Sequence, residues 1–155
     1  MSMPCRRQFL LATGGLTFAA LALAPGAAYA AVHEVRMLNR GADGAMVFEP
    51  ALIRAQPGDV IRFLPTDPSH NAETIPNMLP EGATGGRGAI NAVFELRVDR
   101  PGVYGIKCTP HYAMGMVAVI AVGRTLPNLD AARAVGVRAP GMAGRRFTAL
   151  FNQLS

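Results

Sequence analysis

Cysteine is scarce in this chain, with two among 155 residues, Cys5 and Cys108. Cys5 falls in a segment expected to be removed, so the mature protein keeps one thiol and no internal disulfide. A lone thiol in an oxidising compartment calls for a reason to be there. Histidine is equally sparse, with three. Charged residues are 16% of the chain, and no basic block is interleaved with aromatics, which argues against nucleic-acid binding despite an isoelectric point near 10.0. No internal repeat or low-complexity tract occurs. The one long apolar run, residues 10–23, is broken by Gly14-Gly15 and is short of a membrane span.

That run belongs to a leader. Arg6 and Arg7 precede Gln8-Phe9-Leu10, a twin-arginine pattern, and Ala28-Tyr29-Ala30 suits a signal peptidase. Residues 1–30 are therefore expected to be an export signal that sends the mature protein, starting at Ala31, to the periplasm. Losing Arg6 and Arg7 lowers the net charge from +5 to +3. The remaining charge is uneven: residues 31–123 hold eight basic and nine acidic side chains, and residues 124–155 hold five Arg and one Asp.

What remains has room for one domain with a real core, since half the residues are hydrophobic. Short alternating or apolar stretches at 32–37, 46–48, 51–55, 60–64, 92–98, 103–107 and 117–122 are separated by Pro, Gly, Asn and Asp turns. The expectation is an all-β, Greek-key sandwich built by antiparallel steps over residues 31–123. Residues 65–91 show no sustained period and read as a long connection with one short helical turn. Residues 124–155 read as a helical tail: Asn128 caps a helix to Val135, Pro140-Gly141 breaks it, and residues 143–154 place Phe147, Leu150, Phe151 and Leu154 on one face.

Between the last two strands lies Cys108-Thr109-Pro110-His111-Tyr112-Ala113-Met114-Gly115-Met116. Pro110 disfavours helix at Thr109, so the stretch is a tight loop returning thiolate, imidazole and thioether to one point. Two imidazoles and one thiolate with a weak axial thioether suit copper in both oxidation states, and His70, 38 positions before Cys108, would supply the second imidazole. Spacing alone leaves Met114 and Met116 open as the axial donor. Four protein donors leave no place for a substrate, which separates such a site from catalytic copper.

Ser69-His70-Asn71 and residues 107–116 together resemble the cupredoxin family, and within it the pseudoazurins. Residues 37–41, 45–50 and 78–83 resemble it too, so the likeness covers roughly 34–123, and a two-helix tail is a family feature. The resemblance implies one type 1 copper held by His70, Cys108, His111 and Met116, with Met114 a packing residue. It implies that Asn71 ties the two ligand-bearing segments together and that a backbone amide near Asn39 or Arg40 donates to the Cys108 sulfur. It also implies that His111 emerges within an apolar patch to which Pro110, Met46 and Met114 contribute. Pseudoazurins surround that patch with lysines; here Lys107 remains, Arg40 and Arg87 replace part of the ring, and Pro68 stands where lysine is usual, which weakens steering. The implied activity is a one-electron Cu(II)/Cu(I) shuttle, not an enzyme, that takes electrons from a cytochrome and passes them to a nitrite reductase or similar periplasmic reductase. Too few histidines exist for a catalytic copper cluster. The mature chain is expected to be a monomer with transient redox partners and no membrane anchor. His33, at the mature terminus, is expected to be solvated.

Overall fold

The computed structural model describes residues 29–154. The expected leader therefore lies outside the described residues, apart from its last two. Eight strands form two four-stranded sheets: β1 (Val32–Gly41), β2 (Gly44–Glu49), β3 (Leu52–Ala55), β4 (Asp59–Leu64), β5 (Glu73–Thr74), β6 (Phe94–Val98), β7 (Gly102–Lys107) and β8 (Val117–Val122). One sheet has the order β2-β1-β4-β6 and the other β3-β8-β7-β5. They face each other as the two layers of a Greek-key sandwich. The expectation of purely antiparallel steps is corrected, because β1 runs parallel to β4 and β3 parallel to β8.

Alternation places the core. In β4, Asp59, Ile61 and Phe63 are buried and Val60, Arg62 and Leu64 are only partly so, as period-two side chains require. Phe63 meets Phe48 edge-on at 5.6 Å between centroids and stacks on Phe94 at 6.0 Å. Phe48 and Phe63, both buried, each contribute roughly 1.5–3 kcal/mol by leaving water. β8 is buried at every residue, because both of its faces are covered. Ala118, Ile120 and Val122 join the core between the sheets. Val117 and Val119 face outward and pack with Ala132, Ala143, Phe147, Leu150 and Phe151 of the tail.

The tail forms α1 (Leu129–Gly136) and α2 (Ala143–Phe151). Asn128 stands at the start of α1 but does not cap it with its side chain. Its carboxamide instead accepts from the Val103 N–H at 2.7 Å and donates to the Val103 carbonyl at 2.8 Å, stitching the tail to β7. α2 stops at Phe151 rather than continuing to Leu154. The connection after β4 contains the expected turn of 3-10 helix (Pro76–Met78), together with β5, which is too short to show a period. Among the described residues no helix is long and apolar enough to cross a membrane.

Candidate metal centre

The strands β7 and β8 pair antiparallel, and the loop joining them, 108–116, closes on itself through backbone bonds. The Cys108 N–H donates to the Met116 carbonyl at 2.9 Å, the Met114 and Met116 N–H groups both donate to the His111 carbonyl at 3.1 Å, and Gly115 N–H donates to Tyr112 at 2.9 Å. Gly115 takes a φ of +93°, which only glycine adopts freely. This folding separates the two methionines that spacing leaves open: Met116 is fully buried in the core beside Cys108, whereas Met114 is 47% exposed.

His70 comes from the connection after β4 and is fully buried. Its neighbour Ser69 has φ +73°, held by its N–H donating to the Asn91 side chain at 2.5 Å, and Asn91 returns its own N–H to the His70 carbonyl at 2.8 Å. The Nε2 of His70 lies 2.9 Å from Asn39 Oδ1. A carboxamide oxygen only accepts, so the proton sits on Nε2 and the lone pair of Nδ1 points into the site. There, His70 Nδ1 and His111 Nδ1 lie 3.0 Å apart, and Cys108 Sγ lies 3.7 Å from the former and 3.6 Å from the latter.

Burial pushes the Cys108 thiol above its ordinary range, opposed by the backbone N–H groups of Asn71 and His111 that face the sulfur. Burial also lowers the His70 pKa, with His111 adding to the effect and Asp67 partly opposing it. His70 is thus kept as a neutral imidazole, the form that ligates. A buried thiolate needs a cation to compensate it. Three ligand atoms within 4.8 Å of one another provide a place for one, and a first-row ion with bonds of about 2.0 Å to nitrogen and about 2.3 Å to sulfur spans such separations. Soft sulfur with imidazole is the chemistry of copper. The donor set fits one type 1 copper.

Asn71 joins the two segments. Its Oδ1 accepts from the Thr109 N–H at 2.8 Å, and its Nδ2 donates to the Thr109 hydroxyl and the Gly88 carbonyl, both at 3.2 Å. Asn39 acts differently from expectation: its N–H donates to Asp67 at 2.7 Å, so it is not available to the sulfur, and it is the side chain that reaches the site, through His70. The amides that favour the thiolate belong to Asn71 and His111. Nothing in the sequence marks them, since every residue but proline carries such a donor. His33 is only partly solvated, because Nε2 pairs with the buried Asp59 at 2.8 Å.

Around the centre His111 is half-buried, Met46 half-buried with φ +51°, and Pro110 exposed. Glu73 draws in the expected cations, with Arg87 at 3.6 Å and Lys107 at 3.9 Å. Lys107 also sits 5.4 Å above the Tyr112 ring. Arg40 is exposed and makes no ion pair among the described residues.

The chain belongs to the plastocyanin/azurin family of copper binding proteins, whose pattern matches residues 35–123. It is 51% identical to a pseudoazurin of Paracoccus pantotrophus over 145 residues, covering 94% of this chain and 97% of that protein. It is 44% identical to the pseudoazurin of Methylorubrum extorquens, covering 94% and 95%. The crystal structure of pseudoazurin from Methylobacterium extorquens AM1 superposes with a TM-score of 0.76 at 46% identity, covering 80% of this chain and 99% of that one. Native pseudoazurin from Hyphomicrobium denitrificans gives 0.74 at 36% identity, covering 81% and 99%. Within its family, then, the chain is a pseudoazurin-like blue-copper electron-transfer protein and not an enzyme.

Proposed function

We propose that the mature chain, residues 31–155, shuttles single electrons in the periplasm after export on a twin-arginine leader, taking them from a cytochrome and delivering them to a nitrite reductase or similar reductase. The observation that carries this reading is the convergence of His70, Cys108 and His111 with Met116 buried alongside, and with His111 alone of the four reaching partway to the surface. Copper bound there supplies a reversible Cu(II)/Cu(I) couple.

The protein's part is to hold the donors still. Asn39 fixes the His70 ring, Asn71 locks Thr109 to the His70 segment, and the closed 108–116 loop fixes Cys108, His111 and Met116, so little rearrangement accompanies a change of charge. His111 presents its imidazole edge to a partner, and Pro110, Met114 and Met46 form the apolar surround that excludes water on contact. Arg40, Lys107 and Arg87 supply positive charge around it. Because Glu73 neutralises part of that charge, encounter with an acidic partner is only weakly steered.

The test is to mix the reduced, copper-loaded protein with a purified copper nitrite reductase and follow nitrite-dependent reoxidation. Rapid turnover that collapses when Met114 or Pro110 is replaced by glutamate supports this docking face. Turnover indifferent to both substitutions removes it.

A further inference from the structure

We propose that Arg146, on the tail helix α2, is a positioning residue for the copper centre, holding the peptide that carries Met116 and thereby setting the axial thioether. Its guanidinium makes no pair with a carboxylate among the described residues. It is spent on backbone carbonyls. Nη1 donates to Gly115 at 2.9 Å and to Met46 at 2.7 Å, and Nη2 donates to Ala45 at 2.9 Å and Asp43 at 3.4 Å. One side chain thus binds α2, the β1–β2 hairpin and the ligand loop at a single point, with sequence separations from 31 to 103.

The Gly115 carbonyl belongs to the peptide whose nitrogen is that of Met116, so a force on that oxygen turns the Met116 backbone directly. The other bond on this peptide, from the Met116 N–H to the His111 carbonyl, is internal to the loop, and the loop's tie to Asn71 lies at Thr109, at the opposite end, so the Met116 end needs an anchor of its own. The tail supplies that anchor twice, because the Met142 N–H at the start of α2 also donates to the Ala113 carbonyl at 2.9 Å. The approach is close: a Cβ on Gly115 would lie 2.9 Å from Arg146 Cδ, and one on Gly141 would lie 2.3 Å from the Ala113 oxygen. Glycine at 115 and 141 is what lets the helix and the loop touch. A planar guanidinium offers donors in a fixed fork and suits this, whereas a lysine ammonium cannot hold several carbonyls in one plane. In sites of two imidazoles and one thiolate, the weak axial donor tunes the reduction potential. Arg146 would therefore act on the metal through Met116 without touching it.

The inference rests on Met116 as the axial donor, and the experiment separates the two. Copper-loaded Arg146→Met, Arg146→Lys, Arg145→Ala and Met116→Leu are compared with the parent by visible absorption, electron paramagnetic resonance and reduction potential. Hydrogen exchange of the Met116 amide is measured in the copper-free proteins. Arg146→Met is expected to change the relative intensity of the thiolate-to-copper bands, shift the potential and speed exchange at Met116. Arg146→Lys shifts the same readouts in the same direction by less. Arg145→Ala removes one exposed cation from the same helix and leaves the spectrum unchanged, which separates positioning from loss of charge. A lower melting temperature with spectrum, potential and exchange all as in the parent overturns the proposal. So does an Arg145→Ala shift as large as that of Arg146→Met. If Arg146→Met does not fold, Arg146→Lys decides, and an unchanged spectrum and potential there count against the proposal. A Met116→Leu protein with the parent spectrum overturns the ligand assignment, and the inference with it.

Discussion

The two segments that meet at the copper site are held in opposite ways. The His70 connection has little regular structure and is fixed by side-chain amides: Asn39 of β1 on the imidazole, and the connection's own Asn91 on Ser69 and Asn71 across to Thr109. The 108–116 loop is closed by its own backbone bonds and braced from behind by the tail. The first buries its ligand completely, and the second leaves His111 partly in solvent. An electron carrier needs both conditions, a rigid interior ligand and an accessible one, and the division between segments lets each be met separately.

Breaking the link between the segments should have the largest effect. Asn71→Ala leaves the Thr109 N–H without its partner in a part-buried place and removes the side-chain bonds to Gly88 and Thr109. A cost of about 1–3 kcal/mol in chemical denaturation is expected, accompanied by a shift in the copper spectrum. An unshifted spectrum would show that the segments hold their places independently.

Asp59 sharpens the comparison from a distance, at the opposite end of β4 from the His70 connection. Its carboxyl is held below the ordinary 3.8 by the Gln56 N–H first, then by His33 and the Ala31 N–H, against the effect of burial. A lowered folded pKa contributes stability above the ordinary value that is lost as pH falls through the lower, folded one. Asp59→Asn is thus expected to cost about 1–2 kcal/mol near neutrality, with the gap to the parent shrinking below about pH 4. Melting curves across pH check this. The copper spectrum of Asp59→Asn at neutral pH should match that of the parent.

The smallest effect concerns the exposed side. Glu73→Gln releases Lys107 and Arg87, so association with an acidic partner should quicken at low salt by less than about tenfold and fall more steeply with ionic strength. Stopped-flow rates over a salt series measure it. No change in salt dependence would mean that neither cation faces the partner.

Much of this organisation is legible in the sequence. Three of the four donors crowd into nine residues between two apolar strands, and the alternation of β4 and the helical face of Phe147, Leu150 and Phe151 follow from side-chain periodicity. Strand direction does not: a period of two looks the same in parallel and antiparallel pairs, so the β1–β4 and β3–β8 pairings are invisible until the fold closes. The Asn39 contact is similarly hidden, since an asparagine beside a turn has an adequate local explanation. Arg146 is harder still, because its partners are carbonyl oxygens, which every residue possesses. The choice between Met114 and Met116 needs burial, which spacing in a short loop does not encode.

The most direct test replaces Cys108, the buried thiol on which the whole site converges. The copper-loaded parent should show an intense visible thiolate-to-copper band and a reversible one-electron wave. Cys108→Ser should lose both while melting as a folded protein. A serine variant that kept its colour and its reversible couple would contradict the assignment of this site.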